Sequence, residues 1–89
     1  MAKCFHLSVL TSESTAFDGE VSYVNLPIPS GSVGVLAGHA PMLCAVERGV
    51  LRCTSREGET LRIAVGSGVA SVADGEMTVL VSAAELQTE

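Results

Sequence analysis

The sequence has two histidines, the residues best suited to acid–base chemistry near neutral pH. Of the two, His39 is the better placed for catalysis. His39 could act as a general base for Ser30 or Ser32. A distant Asp18 or Asp74 could orient its ring, because catalytic triads are assembled in space and not along the chain. The sequence has no G-x-S-x-G nucleophile elbow. Because a triad could still be assembled from distant residues, a small hydrolase using His39 is one alternative function.

Support for a metal or phosphate site is weak. His6 and His39 lie 33 positions apart, without adjacent carboxylates or a cysteine pair to complete a tetrahedral zinc site. Residues 66–68 (GSG) come nearest to a glycine-rich phosphate loop, but Ser71 stands where a third glycine should be, and a strand pattern follows. We therefore predict a tight turn at 66–68, with no metal ligands, no cofactor-binding residues and no catalytic residues.

Composition excludes other classes of function. The chain has 89 residues, which fits one domain, and a net charge of −5. Because nucleic-acid binding relies on clustered Lys and Arg, we predict no nucleic-acid partner. Cys4, Cys44 and Cys53 lack C-x-x-C spacing and are predicted to be reduced, buried thiols of an intracellular protein. No apolar run approaches the roughly 18 residues of a membrane span, so we predict no direct membrane insertion.

The first part of the chain has the period-2 pattern of β-strands. Phe5, Leu7 and Val9 alternate with polar residues, which predicts a strand near residues 4–10. The Asp-Gly pair in residues 17–20 predicts a turn, and the following VSYVNLP predicts a second strand. Apolar residues change parity within that strand, which indicates either a bulge or a strand covered on both faces.

Turn chemistry sets the register of the second half. A three-residue loop with Gly58 in the left-handed position places Arg52 opposite Arg62, on the outer face of a sheet. The pair at 74–75 (DG) predicts a two-residue type I′ turn. The last residues, from Ser82, have helix-forming composition but are too few to hold a helix alone. Further strands are predicted at 43–46, 50–55, 60–65, 69–73 and 76–80.

The segment 27–43 holds all three prolines and is predicted to be a shaped loop or a broken strand. Gly34, Gly38 and Pro41 would shape its backbone. Two interpretations of His39 remain open here: an imidazole hydrogen-bonded to local backbone, or an interface residue. The complete pattern of eight to ten short strands predicts an antiparallel sandwich or barrel.

Residues 34–43 (GVLAGHAPML) resemble the G-[VI]-x-P-G-H-A-P-L-L signature of the epsilon subunit of the F-type rotary ATP synthase. The opening FHLSVLTSESTAFDGEVSYVNLP and the strand-turn-strand after residue 66 are also similar to that family's N-terminal domain. The resemblance implies an all-β fold, an antiparallel sandwich of two roughly five-stranded sheets. We predict a sandwich domain over residues 1–84 and a short C-terminal tail at 85–89.

The resemblance also implies a function without catalysis. The domain would be part of the central stalk, or rotor, where it binds the gamma subunit and the c-subunit ring and couples ion-driven rotation to ATP synthesis. It would lie peripherally on the cytoplasmic face of the inner (plasma) membrane, as part of the ATP synthase complex. A free-standing β-sandwich adaptor is the alternative from another class.

The family pattern assigns contact residues. It places Ser30, Gly31 and Ser32 towards the c-ring loops. It places three others towards gamma, namely Thr11, His39 and Cys44.

This sequence departs from the family pattern at three places. Ala37 replaces the usual proline, and residues 66–68 read GSG in place of Ser-Gly-Gly. Family members commonly continue into a helical hairpin that inhibits ATP hydrolysis, and in some members binds ATP. The sequence ends at Glu89, before such helices, so we expect neither activity.

Overall fold

The computed structural model describes residues 3–87, and the regular structure in this range consists of β-strands. Within these residues there is no helix long and apolar enough to cross a membrane. The alternation in the first strand is confirmed, because Phe5, Leu7 and Val9 are buried. The strands are β1 (Phe5–Leu10), β2 (Thr15–Ile28), β3 (Gly31–Leu36), β4 (Met42–Val46), β5 (Gly49–Ser55), β6 (Thr60–Val65), β7 (Gly68–Ala73), β8 (Glu76–Val81) and β9 (Ala84–Gln87).

Two layers of strands share β2. The paired strands follow the order β4-β7-β8-β1-β2-β5-β6-β9, and β3 also pairs with β2. The first half of β2 pairs with β1, and its second half pairs with β3 and β5. Layer one comprises β4, β7, β8, β1 and the first half of β2; layer two comprises β3, the second half of β2, β5, β6 and β9. The predicted sandwich of two five-stranded sheets is confirmed, and its pairing is antiparallel except between β1 and β8, which are parallel.

The core consists mainly of aliphatic side chains from both layers. Leu7, Leu51, Ile63 and Met77 have no exposed surface. Each side chain of this size stabilises the fold by about 1.5–3 kcal/mol when it is fully removed from water. The core is therefore built from many modest contributions of this kind and from few aromatic residues.

The three cysteines differ in burial. Cys53 is buried, and desolvation raises the pKa of its thiol to about 11, so the thiol stays protonated and unreactive at neutral pH. Cys4 and Cys44 are only partly buried. The prediction of a buried thiol is confirmed for Cys53 alone.

The turns of the second half have the predicted geometry. Asp74 and Gly75 have φ values of 53° and 77°, as a type I′ turn requires. Gly58 has φ 93°, and the register it sets places Arg52 directly opposite Arg62. Both predictions from turn chemistry are confirmed.

The predicted turn at Asp18 and Gly19 is wrong. Both residues lie inside β2, where they pair with β1. The chain reverses earlier, where the Thr11 hydroxyl oxygen accepts hydrogen bonds from the backbone N–H groups of Glu13 (3.2 Å) and Ser14 (3.1 Å). A threonine hydroxyl can satisfy the amides of a tight turn, so this reversal needs no glycine.

Of the two predicted explanations for the parity change in the second strand, the structure shows the bulge. The register between β2 and β5 shifts between Val21 and Tyr23. Bulges bend a strand and increase its twist. This one lies where β2 passes from layer one to layer two.

The C-terminal residues form a strand where composition favours a helix. In β9, Ala84 pairs with Val65 of β6 and packs against the core. A short segment gains little from helix propensity because the first helical turn is costly, whereas the edge of β6 offers a complete ladder. Residues 85–87 of the predicted tail therefore belong to a strand, and residues 88 and 89 lie outside the described residues.

The predicted turn at 66–68 is shorter in the structure: residues 66 and 67 connect β6 to β7, and Gly68 is the first residue of β7. The N–H of Gly66 donates to the carbonyl of Ala83 (2.8 Å). A Cβ on Gly68 would overlap the carbonyl oxygen of Leu80 and lie 2.7 Å from the Cα of Val81. Serine is accommodated at position 67, the family's usual glycine position, because that residue is exposed and lacks a positive φ.

Candidate functional site

The outer face of layer one carries apolar side chains at positions that point into water. Strand pairing places Leu10 beside Leu80, Leu80 beside Val69, and Val69 beside Ala45, so that one row crosses four neighbouring strands. We call these four residues the apolar row. Leu80 and Val69 are 48% and 50% exposed, and Leu43, on the same face of β4, is 78% exposed. Exposed apolar side chains that lie next to one another across neighbouring strands make this face a candidate interaction site.

Charged residues are missing from the part of the chain that forms β3 and β4. The ten acidic and five basic residues all lie outside the segment from Val21 to Val46. This segment forms the second half of β2, then β3 and β4, so the β3 edge of layer two and the β4 edge of layer one are both uncharged. Depletion of charged residues is characteristic of the cores of protein interfaces.

His39 fixes the turn between β3 and β4. Gly38 has φ 85°, a conformation that favours glycine. The N–H of His39 donates to the carbonyl of Leu36 (3.1 Å), and its Nδ1 lies 2.7 Å from the carbonyl oxygen of Ala40. Because a carbonyl oxygen only accepts, Nδ1 is the donor. The interpretation of His39 as an imidazole bonded to local backbone is confirmed, and its role as an interface residue stays a prediction.

The three predicted loop-shaping residues have different environments. Gly38 adopts the positive φ, and Pro41 directly precedes β4. Gly34 lies inside β3, where a Cβ would come within 3.0 Å of the Tyr23 hydroxyl oxygen. Gly34 thus makes room for an aromatic side chain and has no unusual backbone angle.

The predicted c-ring contacts lie at the turn between β2 and β3. Ser30, Gly31 and Ser32 are all exposed, and Gly31 has φ 134°. The Ser32 hydroxyl accepts a hydrogen bond from the side-chain amide of Asn25 (3.4 Å). This turn presents hydroxyl and backbone groups without a charge.

The three predicted gamma contacts do not form one cluster. Thr11 follows the apolar-row residue of β1, whereas His39 precedes β4, and β7 and β8 separate these two strands. Cys44 is partly buried against the core, and desolvation raises the pKa of its thiol. Its neighbours Leu43 and Ala45 occupy the outer face of layer one instead.

The structure does not assemble the hydrolase triad. Nδ1 of His39 is bonded to backbone, and no serine hydroxyl hydrogen-bonds to this ring in residues 3–87. In the same range, no group of His, Cys, Asp and Glu is arranged to hold a metal ion.

His6 has two carboxylate partners that are distant from it in sequence. Its Nε2 lies 2.7 Å from Oδ1 of Asp18, and its Nδ1 lies 3.2 Å from Oε2 of Glu20. Glu76 is its pairing partner on the other side, in β8. The hydrogen bond with Glu20, and after it the negative charge of Asp18, raise the pKa of His6 above its usual 6.5, although desolvation opposes them. The sequence did not reveal this cluster, because the predicted turn at 17–20 concealed the pairing of β1 with β2.

We expect this cluster to make stability depend on pH. The raised pKa means that the folded chain binds the His6 proton more tightly than the unfolded chain, so its contribution is complete below pH 6.5. It is lost as the pH rises through the folded value. Urea unfolding between about pH 5.5 and about pH 8.5 should therefore show a small decrease in stability, which His6→Gln removes. An equal decrease in His6→Gln would contradict this assignment.

Comparisons with known proteins agree with the fold. Residues 4–87 match the family model described as ATP synthase, Delta/Epsilon chain, beta-sandwich domain. An ATP synthase epsilon chain from Synechococcus sp. (strain JA-2-3B'a(2-13)) is 46% identical over 77 residues, which cover 86% of this chain and 56% of that protein. The ATP synthase epsilon chain of Rhodopseudomonas palustris (strain BisB5) is 40% identical over 80 residues, covering 90% and 58%. The chain thus spans somewhat over half the length of these relatives.

Solved structures share the fold at lower identity. A chain of the Euglena gracilis mitochondrial ATP synthase, from a structure of OSCP, F1 and c-ring, superposes with a TM-score of 0.87 at 21% identity. The match covers 93% of this chain and 53% of the other. A chain of the Tetrahymena thermophila central stalk and c-ring gives 0.72 at 14% identity, covering 93% and 66%. From the family match over nearly all its residues, the chain belongs to the ATP synthase delta/epsilon family, of which it forms the beta-sandwich domain.

Proposed function

We propose that the chain is the sandwich domain of a central-stalk subunit of an F-type ATP synthase, and that it binds gamma through the outer face of layer one. The apolar row carries this proposal, because it leaves Leu80 and Val69 half exposed beside Leu43. Family membership and the names of the relatives support the choice of complex.

The energetics of the face fit a protein partner. Burying the exposed halves of Leu80 and Val69 and most of Leu43 would contribute on the order of 1 kcal/mol for each of the first two and more for the third. Part of this gain offsets the loss of freedom on association. The small side chain of Ala45 keeps the row flat enough for a partner to approach closely.

A second contact is proposed at the turn that contains Ser30, Gly31 and Ser32. These exposed residues would rest on polar loops of the c-subunit ring. The turn has no charged residue, so the contact would use hydroxyl and backbone groups. Contacts of this kind depend little on salt.

The role we assign is mechanical and non-catalytic. A sandwich clamped between gamma and the ring must transmit torque without deforming, and closely packed interiors deform little. The complex would hold the chain peripherally at the cytoplasmic face of the inner (plasma) membrane. The proposed partners of the chain are gamma and the c-ring, and the proposed role requires no cofactor.

The test is ion-driven ATP synthesis in vesicles that carry an ATP synthase depleted of this subunit. Adding the chain should restore synthesis, and Gly38→Val should restore it poorly, because valine does not tolerate the φ of 85° at that position. Ser67→Ala, in an exposed turn distant in sequence, serves as the control and should behave as the wild type. Failure of the wild-type chain to restore synthesis would contradict the proposal.

A further inference from the structure

We propose that the open edge of β4 pairs with an extended strand of the partner subunit, so that the partner adds a strand to layer one. This inference rests on the proposed function, since the partner in question is gamma. β4 is the last strand of the paired series, and within residues 3–87 β7 is the only strand that pairs with it. A strand edge presents a row of backbone donors and acceptors, and another strand satisfies such a row best.

The hairpin between β7 and β8 determines which backbone groups face β4. In its two-residue turn, Ala73 and Glu76 form the closing pair and exchange hydrogen bonds. Successive residues of a strand direct their backbone groups to opposite sides, so Ala70, three residues before Ala73, directs its N–H and C=O away from β8 and towards β4. Its partner there is Cys44, which therefore bonds to β7.

The next residues on β4 must then face the open side. By the same alternation, the N–H and C=O groups of Leu43 and Ala45 point away from β7. Glu47 continues this alternation just beyond the strand, and its N–H donates to the carbonyl of Pro27 in β2 (2.9 Å) and not to β7. That bond supports the assigned direction. Leu43 and Ala45 have no strand partner on this side among the described residues.

The edge lacks the features that usually prevent strand addition. Natural edge strands are protected by charged side chains, prolines within the strand or bulges. β4 reads MLCAV, with no charge and no proline, and its pairing with β7 is regular. By contrast, β9, an edge of layer two, contains Glu85. An unprotected edge in a folded protein indicates that something covers it.

The absence of charge along the β4 edge indicates what kind of strand can pair with it. The segment from 21 to 46 has no charged residue, so a matching strand should also be uncharged at the positions that face β4. The apolar row ends on this same strand, at Ala45. A partner that covers the apolar row is therefore already in contact with β4. Because gamma is the proposed partner on this face, we propose that the added strand belongs to gamma.

Amide hydrogen exchange measured by NMR tests the pairing. In the free chain, the amides of Leu43 and Ala45 should exchange fast, and the amide of Cys44 should be protected by β7. On addition of an ATP synthase head purified with gamma but without this subunit, the exchange rates of the Leu43 and Ala45 amides should fall at least tenfold. Unchanged exchange in a complex that does form would overturn the strand pairing while leaving the proposed function intact.

The affinity of a proline variant tests whether the Ala45 N–H forms a hydrogen bond with the added strand. Ala45→Pro removes an N–H that faces the open edge and leaves the bonds to β7 in place, so the fold should persist. Ala45→Val is the matched comparison, because valine adds a side chain of similar size but keeps the N–H; the proline variant should bind the gamma-containing head about tenfold more weakly than the valine variant. Equal affinity of the two variants would contradict the proposal.

Two further outcomes are distinguishable. If the wild-type chain does not bind the gamma-containing head at all, the proposed function fails and the edge proposal fails with it. If protection of Leu43 and Ala45 instead rises with the concentration of the chain alone, the edge pairs with a second copy, and gamma is the wrong occupant.

Discussion

Replacing Gly68 with valine should destabilise the sandwich by about 3 kcal/mol or more. Any Cβ at this position overlaps the carbonyl oxygen of Leu80, and the obstacle is strand backbone, which cannot rotate away as a side chain could. Relief would require separating β7 from β8 at the end of their ladder. A domain of this size is stable by only about 5–15 kcal/mol, so the loss should be large enough to lower the unfolding midpoint clearly.

Urea unfolding monitored by circular dichroism measures this effect. Ser67→Val is the matched control, because Ser67 directly precedes Gly68 and is exposed. The control should change stability by no more than about 0.5 kcal/mol. If Gly68→Val and Ser67→Val had the same midpoint as the wild type, the close approach at residue 68 would be refuted.

Leu80→Lys should weaken association with the gamma-containing head at least tenfold. Leu80 lies in the middle of the apolar row, between Leu10 and Val69, so a lysine there would bring a charge into the centre of the interface. Leu86→Lys is the matched control, since Leu86 is 43% exposed against 48% for Leu80 but lies on β9 of layer two.

The dissociation constant of each variant for that head can be measured by titration. Leu80→Lys should unfold at nearly the wild-type midpoint, because Leu80 lies on the outer face and is already half exposed. The midpoint of Leu86→Lys is measured alongside, because Leu86 pairs with the buried Ile63. The Leu86→Lys variant should bind within about twofold of the wild type. If Leu86→Lys weakened binding and Leu80→Lys did not, the interface would lie on layer two.

Strand alternation and turn chemistry were sufficient to predict most of the fold. The Asp74-Gly75 turn and the Gly58 loop were predictable because each requires backbone angles that few residues tolerate. The turn at Thr11 was missed because a hydroxyl satisfied the turn amides, and this signal is weaker than an Asp-Gly pair. The strand β9 was missed because its stability comes from the edge of β6, which composition does not reveal.

The interaction surface was less predictable than the fold. The motif at residues 34–43 indicated the family, but the apolar row depends on the register of four strands, including the parallel pair of β1 and β8. Its signal in the sequence is the pair of consecutive apolar residues Val79 and Leu80, of which alternation can bury only one. The His6 cluster was equally hard to predict, because it depends on the pairing of β1 with β2.

Photocrosslinking tests most directly whether the outer face of layer one meets gamma. A photoreactive phenylalanine analogue is placed at Leu80 and, in a separate sample, at Leu86, and each chain is bound to the gamma-containing head and irradiated. The predicted result is a covalent product with gamma from position 80 and none from position 86. A product with gamma from position 86 alone would contradict the account.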